Sequence, residues 1–265
     1  LAWDKESGEN WDLKIAEEEL IGCFAMMMHG APRAETCIIA QLGDFLHYDG
    51  LVPVTPTSGH VLDSDSRFEK MVQTAIRVLR QVVSLALQKH KKVVMVIAEG
   101  NHDMASSVWL RQLFKALYEK EPRVSIIDSQ KPYYAYQHGN VGLFWHHSHL
   151  SQFETLPLKF AAEYSKIWGE TEYRFGHTGD KHHRKAQDFS GIEMIQHRTL
   201  AARDAYAARY GYRAFRAATS YTYHSAIGEV YSNTVHPGML KLASAEVVKN
   251  RKISTVPKKA LRGGK

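Results

Sequence analysis

The chain has 265 residues, a formal net charge of +6, 44% hydrophobic residues and two cysteines, Cys23 and Cys37. That length can bury a full core, and the composition is that of an ordinary soluble globular protein. Two cysteines argue against a disulfide framework, and no apolar run approaches the ~20 residues of a membrane helix. With no signal peptide visible, a reducing, cytoplasmic setting is expected.

From the N-terminus, Asp12 is a plausible N-cap. Leu13, Ala16, Leu20, Phe24 and Met27 follow with helical period, and this helix should end near His29-Gly30, before Pro32. Thr36 to Leu42 reads as a buried strand ending in Gly43-Asp44. A Gly-, Pro-, Thr- and Ser-containing loop from Asp49 to Asp63 is long enough to be a flap. Ser64 or Asp65 should cap a long helix whose stripe is Phe68, Met71, Val72, Ile76, Leu79, Val83 and Leu87. Val93 to Ala98 is the next strand, ending in Glu99-Gly100-Asn101-His102-Asp103. A helix from about Ala105 to Lys120 should turn Val108, Trp109, Phe114 and Leu117 inward.

Val124–Ile127, Tyr133–Tyr136 and Val141–Trp145 are further strands, the last running into His146-His147. Leu156–Ser165 reads as helix and Glu172–Phe175 as a strand entering Gly179-Asp180-Lys181-His182-His183. Ile192–His197 and Ala218–Tyr223 are late strands. Glu229-Val230-Tyr231 pairs back across Ala226-Ile227-Gly228, and an Ala-rich helix spans Leu200 to Tyr212. The chain divides into one domain over residues 1–245 and a basic tail over 246–265. The tail carries Lys249, Arg251, Lys252, Lys258, Lys259, Arg262 and Lys265. Such a tail is either a solvated terminus or a holder of nucleic-acid phosphates.

Four polar stretches follow apolar runs, where chemistry sits in α/β proteins. Asp44, after Gly43, has two oxygens with which to bridge two cations. The Asn101 side-chain oxygen is a neutral ligand. His102 can face a substrate as an acid, and Asp103 can orient His102 through its ring N–H. His146 or His147 can bind a metal, but adjacent strand residues point to opposite faces, so only one should reach the site. Asp180 and His182 alternate across Lys181 and, in an extended segment, would point the same way. Taken singly, each stretch could be a turn, a cap or a solvated loop. Together they supply the Asp, Asn and His mixture of a two-metal site.

These stretches resemble those of the calcineurin-like metallophosphoesterase superfamily. Gly43-Asp44-Phe45-Leu46-His47 resembles its Gly-Asp-x-x-Asp/His, and Gly100-Asn101-His102-Asp103 its Gly-Asn-His-Asp/Glu. His146 resembles its lone His at a strand end, and Gly179-Asp180-Lys181-His182 its closing Gly-His-x-His. The likeness is greatest to a phage and bacterial branch that also has a Leu-Ala-Trp-Asp-Lys-Glu opening and a late Ala-Ala-Arg-Asp-Ala-Tyr. The resemblance implies a four-layer α/β/β/α sandwich and two divalent ions, manganese first, or iron, zinc or nickel. It implies that Asp44 bridges both ions, that Asn101, His146 and Asp180 bind one, and that His182 binds the other. His102 would be the substrate-facing acid. His47, His147 and His177 are further candidates; Gly176-His177-Thr178 would be the closing stretch in a register shifted by three.

Two departures stand out. The family's first stretch, Asp-x-His, is absent and is expected ahead of Leu1, and Asp180 stands where the family has His. The expected activity is hydrolysis of a phosphate ester by a metal-bound hydroxide, with a nucleic-acid or nucleotide phosphodiester, DNA or RNA, as substrate. The alternative is a non-catalytic nucleic-acid-binding or scaffold protein of the same fold.

Overall fold

A computed structural model describes residues 10–56, 59, 61, 67–202 and 215–243. The cap expected at Ser64 or Asp65, the helix to Tyr212 beyond its first three positions, and the tail over 246–265 lie outside the described residues.

Helix α1 (Leu13–Gly30) starts where the sequence places it. Asp12 is extended and its carboxylate accepts from the Ile15 N–H at 2.7 Å, which satisfies one of the donors a helix start leaves free. Strands β1 (Thr36–Gln41), β2 (Lys92–Ile97) and β3 (Val124–Ile126) form a parallel three-stranded sheet in that order. Helix α2 (Phe68–Lys89) links β1 to β2, and α3 (Met104–Leu117) links β2 to β3. Parallel neighbours need such crossovers.

Helix α3 packs through a different face from the one its apolar residues mark. Ser107, Leu110, Arg111 and Phe114 are buried, while Val108, Trp109 and Leu117 are exposed, Trp109 to 78%. Arg111 explains the rotation. Its guanidinium donates to the Ile97 carbonyl at 2.9 Å and to the Tyr134 hydroxyl at 3.1 Å, so this cation is an anchor under the sheet edge rather than a surface group. Hydropathy counts Arg111 as outward and thereby turns the helix the wrong way.

The second sheet has five strands in the order β4-β5-β6-β8-β7: β4 (Tyr134–His138), β5 (Val141–His146), β6 (Tyr173–Thr178), β7 (Lys185–Phe189) and β8 (Ile192–Gln196). β5, β6 and β8 are mutually parallel, and the two edge strands are antiparallel. Strand β7 is not foreshadowed in the sequence. Lys185-Ala186-Gln187-Asp188-Phe189 lies on a sheet edge with most side chains exposed, so it has no alternation to betray it. The helix read over Leu156–Ser165 is two helices, α4 (Leu156–Glu163) and α5 (Ser165–Glu170), broken at Tyr164. β9 (Ala218–His224) and β10 (Gly228–Val235) form an antiparallel hairpin.

Three apolar clusters account for most of the core. Cys37, Ile39, Met95 and Ile97 on one face of the first sheet pack with residues of α2 and α3. Val96 and Ala98 of its other face meet Val141, Leu143, Trp145 and Phe175 of the second sheet. Phe144, Ile192 and Met194 on the far face of the second sheet pack with Phe153, Leu156 and Phe160. Cys23 and Cys37 are buried free thiols. Burial pushes them up to about 11 and about 12 respectively, so neither is a reactive thiolate. Among the described residues no helix is long and apolar enough to cross a membrane.

The hairpin is tied to the second sheet by a buried polar chain. His177 Nδ1 lies 2.9 Å from His197 Nε2, and His177 Nε2 lies 3.1 Å from the Tyr223 hydroxyl. Burial holds His197 at about 4 and His177 well below the ordinary imidazole value. Both rings are therefore neutral when folded and take up protons near pH 6.5 when unfolded. The unfolded state binds more protons between about 6.5 and about 4, so stability falls as pH falls through that window. Thermal melts should show the midpoint dropping from pH 7 to pH 5, with a shallower drop for His197→Gln; parallel slopes would refute this role for the pair.

Candidate active site

The site lies where loops leave the C-terminal ends of β1, β2, β5 and β6. Asp103 gathers two of these loops. One carboxylate oxygen accepts from the Gly100 N–H at 3.1 Å and the Asp44 N–H at 3.2 Å. The other accepts from Phe45 at 2.7 Å and Leu46 at 3.2 Å. The side chain is buried. Burial first, then the nearby Asp44 charge, pushes its pKa up to about 6, against the pull of the backbone N–H groups. This carboxyl alone would favour the folded state as pH falls from about 6 to about 4, opposite in sign to His177 and His197.

The role of Asp103 differs from the expectation that it orients His102. His102 is held by His47 instead: its Nδ1 lies 3.0 Å from the His47 carbonyl. A carbonyl only accepts, so Nδ1 carries the proton and Nε2 of the neutral ring is left with a lone pair. Nε2 lies 4.0 Å from Asp44 Oδ2. His47 thus serves through its backbone, while its ring packs edge-on to Tyr48. Nor does Asp103 cap α3 with its side chain. Asp49 does so from the far loop: it accepts from Ala105 N–H at 2.5 Å, Ser106 N–H at 2.8 Å and the Ser106 hydroxyl.

Asp44 sits at φ 53°, a left-handed conformation that Asp tolerates better than most residues. Its Oδ1 accepts from the His102 N–H at 2.9 Å and its Oδ2 lies 3.1 Å from His147 Nε2. Burial opposes its ionisation, but His147 and the His102 N–H outweigh that and hold its pKa below the ordinary value.

His147, not His146, faces Asp44. His146 is the last residue of β5, on the same side as Phe144, and its ring stacks on Tyr133 with centroids 4.8 Å apart. Alternation then directs His147 to the opposite side. His146 Nδ1 accepts from the Ser148 N–H at 2.8 Å, so its Nε2 carries the proton and has no lone pair for a cation. Burial, then His149 and His147, lowers its pKa to about 3. His147 has the complementary tautomer. Its Nδ1 donates to the Leu42 carbonyl at 2.6 Å, so its buried Nε2 is the nitrogen that faces Asp44: protonated it pairs with that carboxylate, and deprotonated it offers a lone pair to a cation. That atom lies 3.9 Å from Asp180 Oδ1 as well. Burial opposes charging His147, but Asp44, the Leu42 carbonyl and Asp180 prevail and raise its pKa.

Asp180 and His182 reach the site by a turn rather than an extended strand, with φ 34° and 56°. Asp180 Oδ2 lies 2.8 Å from Lys181 Nζ. Water is stripped from around the His182 ring, which lowers its pKa although Asp44 and Asp180 act to raise it. Asn101 is half-buried beside His102. His177 is committed to His197 and Tyr223, so the shifted register for the closing stretch is not the one that approaches Asp44. Two neighbours, His149 of the clustered histidines and Glu99 just after β2, are not among the expected site residues. His149 Nε2 lies 3.8 Å from Glu99 Oε1, and both His149 ring nitrogens are buried without a hydrogen bond. The spacing His147-Ser148-His149 was the available signal.

Close approach makes glycine obligatory at Gly100. A Cβ there would lie 2.1 Å from Asp44 Oδ1 and 2.2 Å from the Asp44 nitrogen. Gly43, at φ 96°, would set a Cβ 2.4 Å from His147 Nδ1.

Among the described residues, no three His, Cys, Asp or Glu side chains are grouped closely enough to enclose a cation as they stand. The donor chemistry of Asp44, His147 and Asp180 nevertheless fits a divalent ion: two carboxylates face one imidazole nitrogen, whose proton a cation could replace.

No family model matches the chain, and no curated protein does. A solved structure of a conserved uncharacterized protein from Streptococcus pneumoniae TIGR4, described as a predicted phosphoesterase, is similar at 12% identity and a TM-score of 0.31. The similarity covers 76% of this chain and 95% of that one.

Asp103→Asn would turn an amide NH2 toward two of the four backbone donors. Urea denaturation should show a loss of roughly 2–4 kcal/mol; a loss below about 1 kcal/mol would mean that the carboxylate does not hold the two loops. Gly100→Ala should be at least as damaging as the 1–3 kcal/mol common for overpacking.

Proposed function

We propose that this protein is a metal-dependent phosphoesterase whose centre is Asp44, His147 and Asp180, with Asn101 and His182 completing the ligand set. The observation that carries this reading is the buried His147 Nε2, turned by the Leu42 carbonyl to face two carboxylates, Asp44 at 3.1 Å and Asp180 at 3.9 Å. The cluster order also supports an α/β/β/α layering, in which the contact between the two sheets holds β1 and β5 loops together.

Divalent ions in this centre would neutralise phosphate oxygens and favour ionisation of the attacking water. Manganese, iron, zinc and nickel all suit the donor set. The chain's own residues supply the rest. Asp44 stays ionised, Asp103 fixes the backbone that carries it, and His102 presents Nε2 beside Asp44. Protonated at that atom, His102 can give its proton to the leaving oxygen. Two anchors, its own N–H on Asp44 and its Nδ1–H on the His47 carbonyl, keep the ring in place. The substrate class supported by the basic balance of the chain is a nucleic-acid or nucleotide phosphodiester.

Purified protein with Mn²⁺ should hydrolyse bis-p-nitrophenyl phosphate. Asp44→Asn and His147→Ala should reduce that rate at least 100-fold and abolish Mn²⁺ binding in isothermal titration calorimetry. His146→Gln should retain Mn²⁺ binding. His102→Ala should lower turnover while leaving Mn²⁺ affinity within about threefold. Retention of Mn²⁺ binding by His147→Ala together with its loss in His146→Gln would overturn the assignment of the centre. Oligonucleotide binding with no metal-dependent hydrolysis would favour a non-catalytic protein.

A further inference from the structure

Arg184 and Arg198 stand at the same sheet edge as the centre, around a narrow crevice of about 10 Å³, room for roughly one water, that the centre does not use. Arg184 immediately precedes β7, Arg198 follows β8, and His197 N–H donates to the Thr178 carbonyl at the end of β6. The Ala217 N–H donates to the Thr199 carbonyl at 3.1 Å, so the segments carrying Arg198 and Phe215 run side by side. The crevice is lined by Arg184, His197, Arg198, Ala217, Thr219 and Tyr221.

Three arginines meet in this corner, and they are used differently. Arg216 pairs with Glu19, donates to the Leu200 carbonyl and covers the Trp11 ring. Arg184 and Arg198 have no carboxylate within 4.0 Å among the described residues. Glu193 and Glu229 feel the Arg184 charge from beyond that distance. Arg198 lies 5.9 Å over the Phe215 ring, and Phe215 is 80% exposed. An exposed phenyl ring under one guanidinium, next to a second that hydrogen-bonds Tyr221 but pairs with no carboxylate, offers a face for a base and donors for a phosphate.

We propose that Arg184, Arg198 and Phe215 bind a phosphate and its base about three or four nucleotides from the scissile phosphate, which makes the substrate a single-stranded nucleic acid. The subsite rests on the phosphoesterase reading for its relation to a scissile bond, though its binding chemistry does not. Arg198 follows β8, two strand spacings or about 10 Å from β5, whose end carries His147, and Arg184 precedes β7, one spacing further. A stacked strand rises ~3.4 Å per nucleotide, so a chain seated at His147 reaches the arginines after about three or four residues.

The test is fluorescence anisotropy with a 5′-fluorescein-labelled oligo(dT) 12-mer in EDTA, over 50–200 mM salt. EDTA removes catalysis, so a failed metal centre leaves this measurement intact. Arg184→Gln/Arg198→Gln should weaken binding at least tenfold and lower the slope of log K against log salt by about 1.4, since each contact to a single strand contributes ~0.7. Phe215→Ala should weaken binding roughly tenfold with the slope unchanged, the mark of stacking rather than charge. Lys92→Ala, at the opposite end of the first sheet, should change neither. Melting curves for each variant exclude unfolding as the cause. The subsite would be overturned if the double variant lost no more affinity than Lys92→Ala, or if a blunt 12-base-pair duplex bound as tightly as the single strand.

Discussion

The four backbone N–H groups that converge on Asp103 are the constraint on which the rest of the site depends. A carboxylate that accepts bonds from both the β1 and β2 loops makes their relative position nearly independent of side-chain packing. Asp44 is carried on one of these loops and His102 on the other, and the His102 N–H closes the link by donating to Asp44. Gly100 is where the loops touch, and its missing Cβ is what allows them to do so. Remove the carboxylate and several buried donors are stranded at once, which is costlier than losing any single contact.

Around that frame, main-chain carbonyls determine the chemistry of the histidines. Leu42 O and His47 O each take an Nδ1 proton and so turn the Nε2 atoms of His147 and His102 toward Asp44. The Ser148 N–H does the reverse at His146. Two adjacent histidines at the end of one strand thus have opposite tautomers, one suited to a cation and one suited to packing. The distinction is made by the backbone, whose hydrogen bonds depend on how far each strand extends before it turns.

That dependence explains what the sequence could and could not disclose. The strands with continuous apolar runs and the helices with clear caps were legible, because periodicity and the Asp12 cap are local. The stretches holding Asp44, His102 and Asp180 do meet around His147, a convergence that no single stretch disclosed and only the four together suggested. The choice between His146 and His147 was not legible, because one residue of strand length inverts it. The work of Asp103 and Asp49 was hidden for another reason. Each acts on backbone groups some 50 to 60 positions away, and a loop carboxylate carries no sign of so distant a partner. Arg111 and β7 were misread or missed because hydropathy assigns charge to solvent, and here one cation lies inside and one strand lies at an edge.

Asp49 has a consequence for how anions are received. The N-terminus of α3 opens beside His102, and the free N–H groups of such a helix end ordinarily attract phosphate. Here that positive pole is already filled by the Asp49 carboxylate. On the proposed reading, a phosphate entering the site would meet an occupied helix end on that side and would take its counter-charge from other groups.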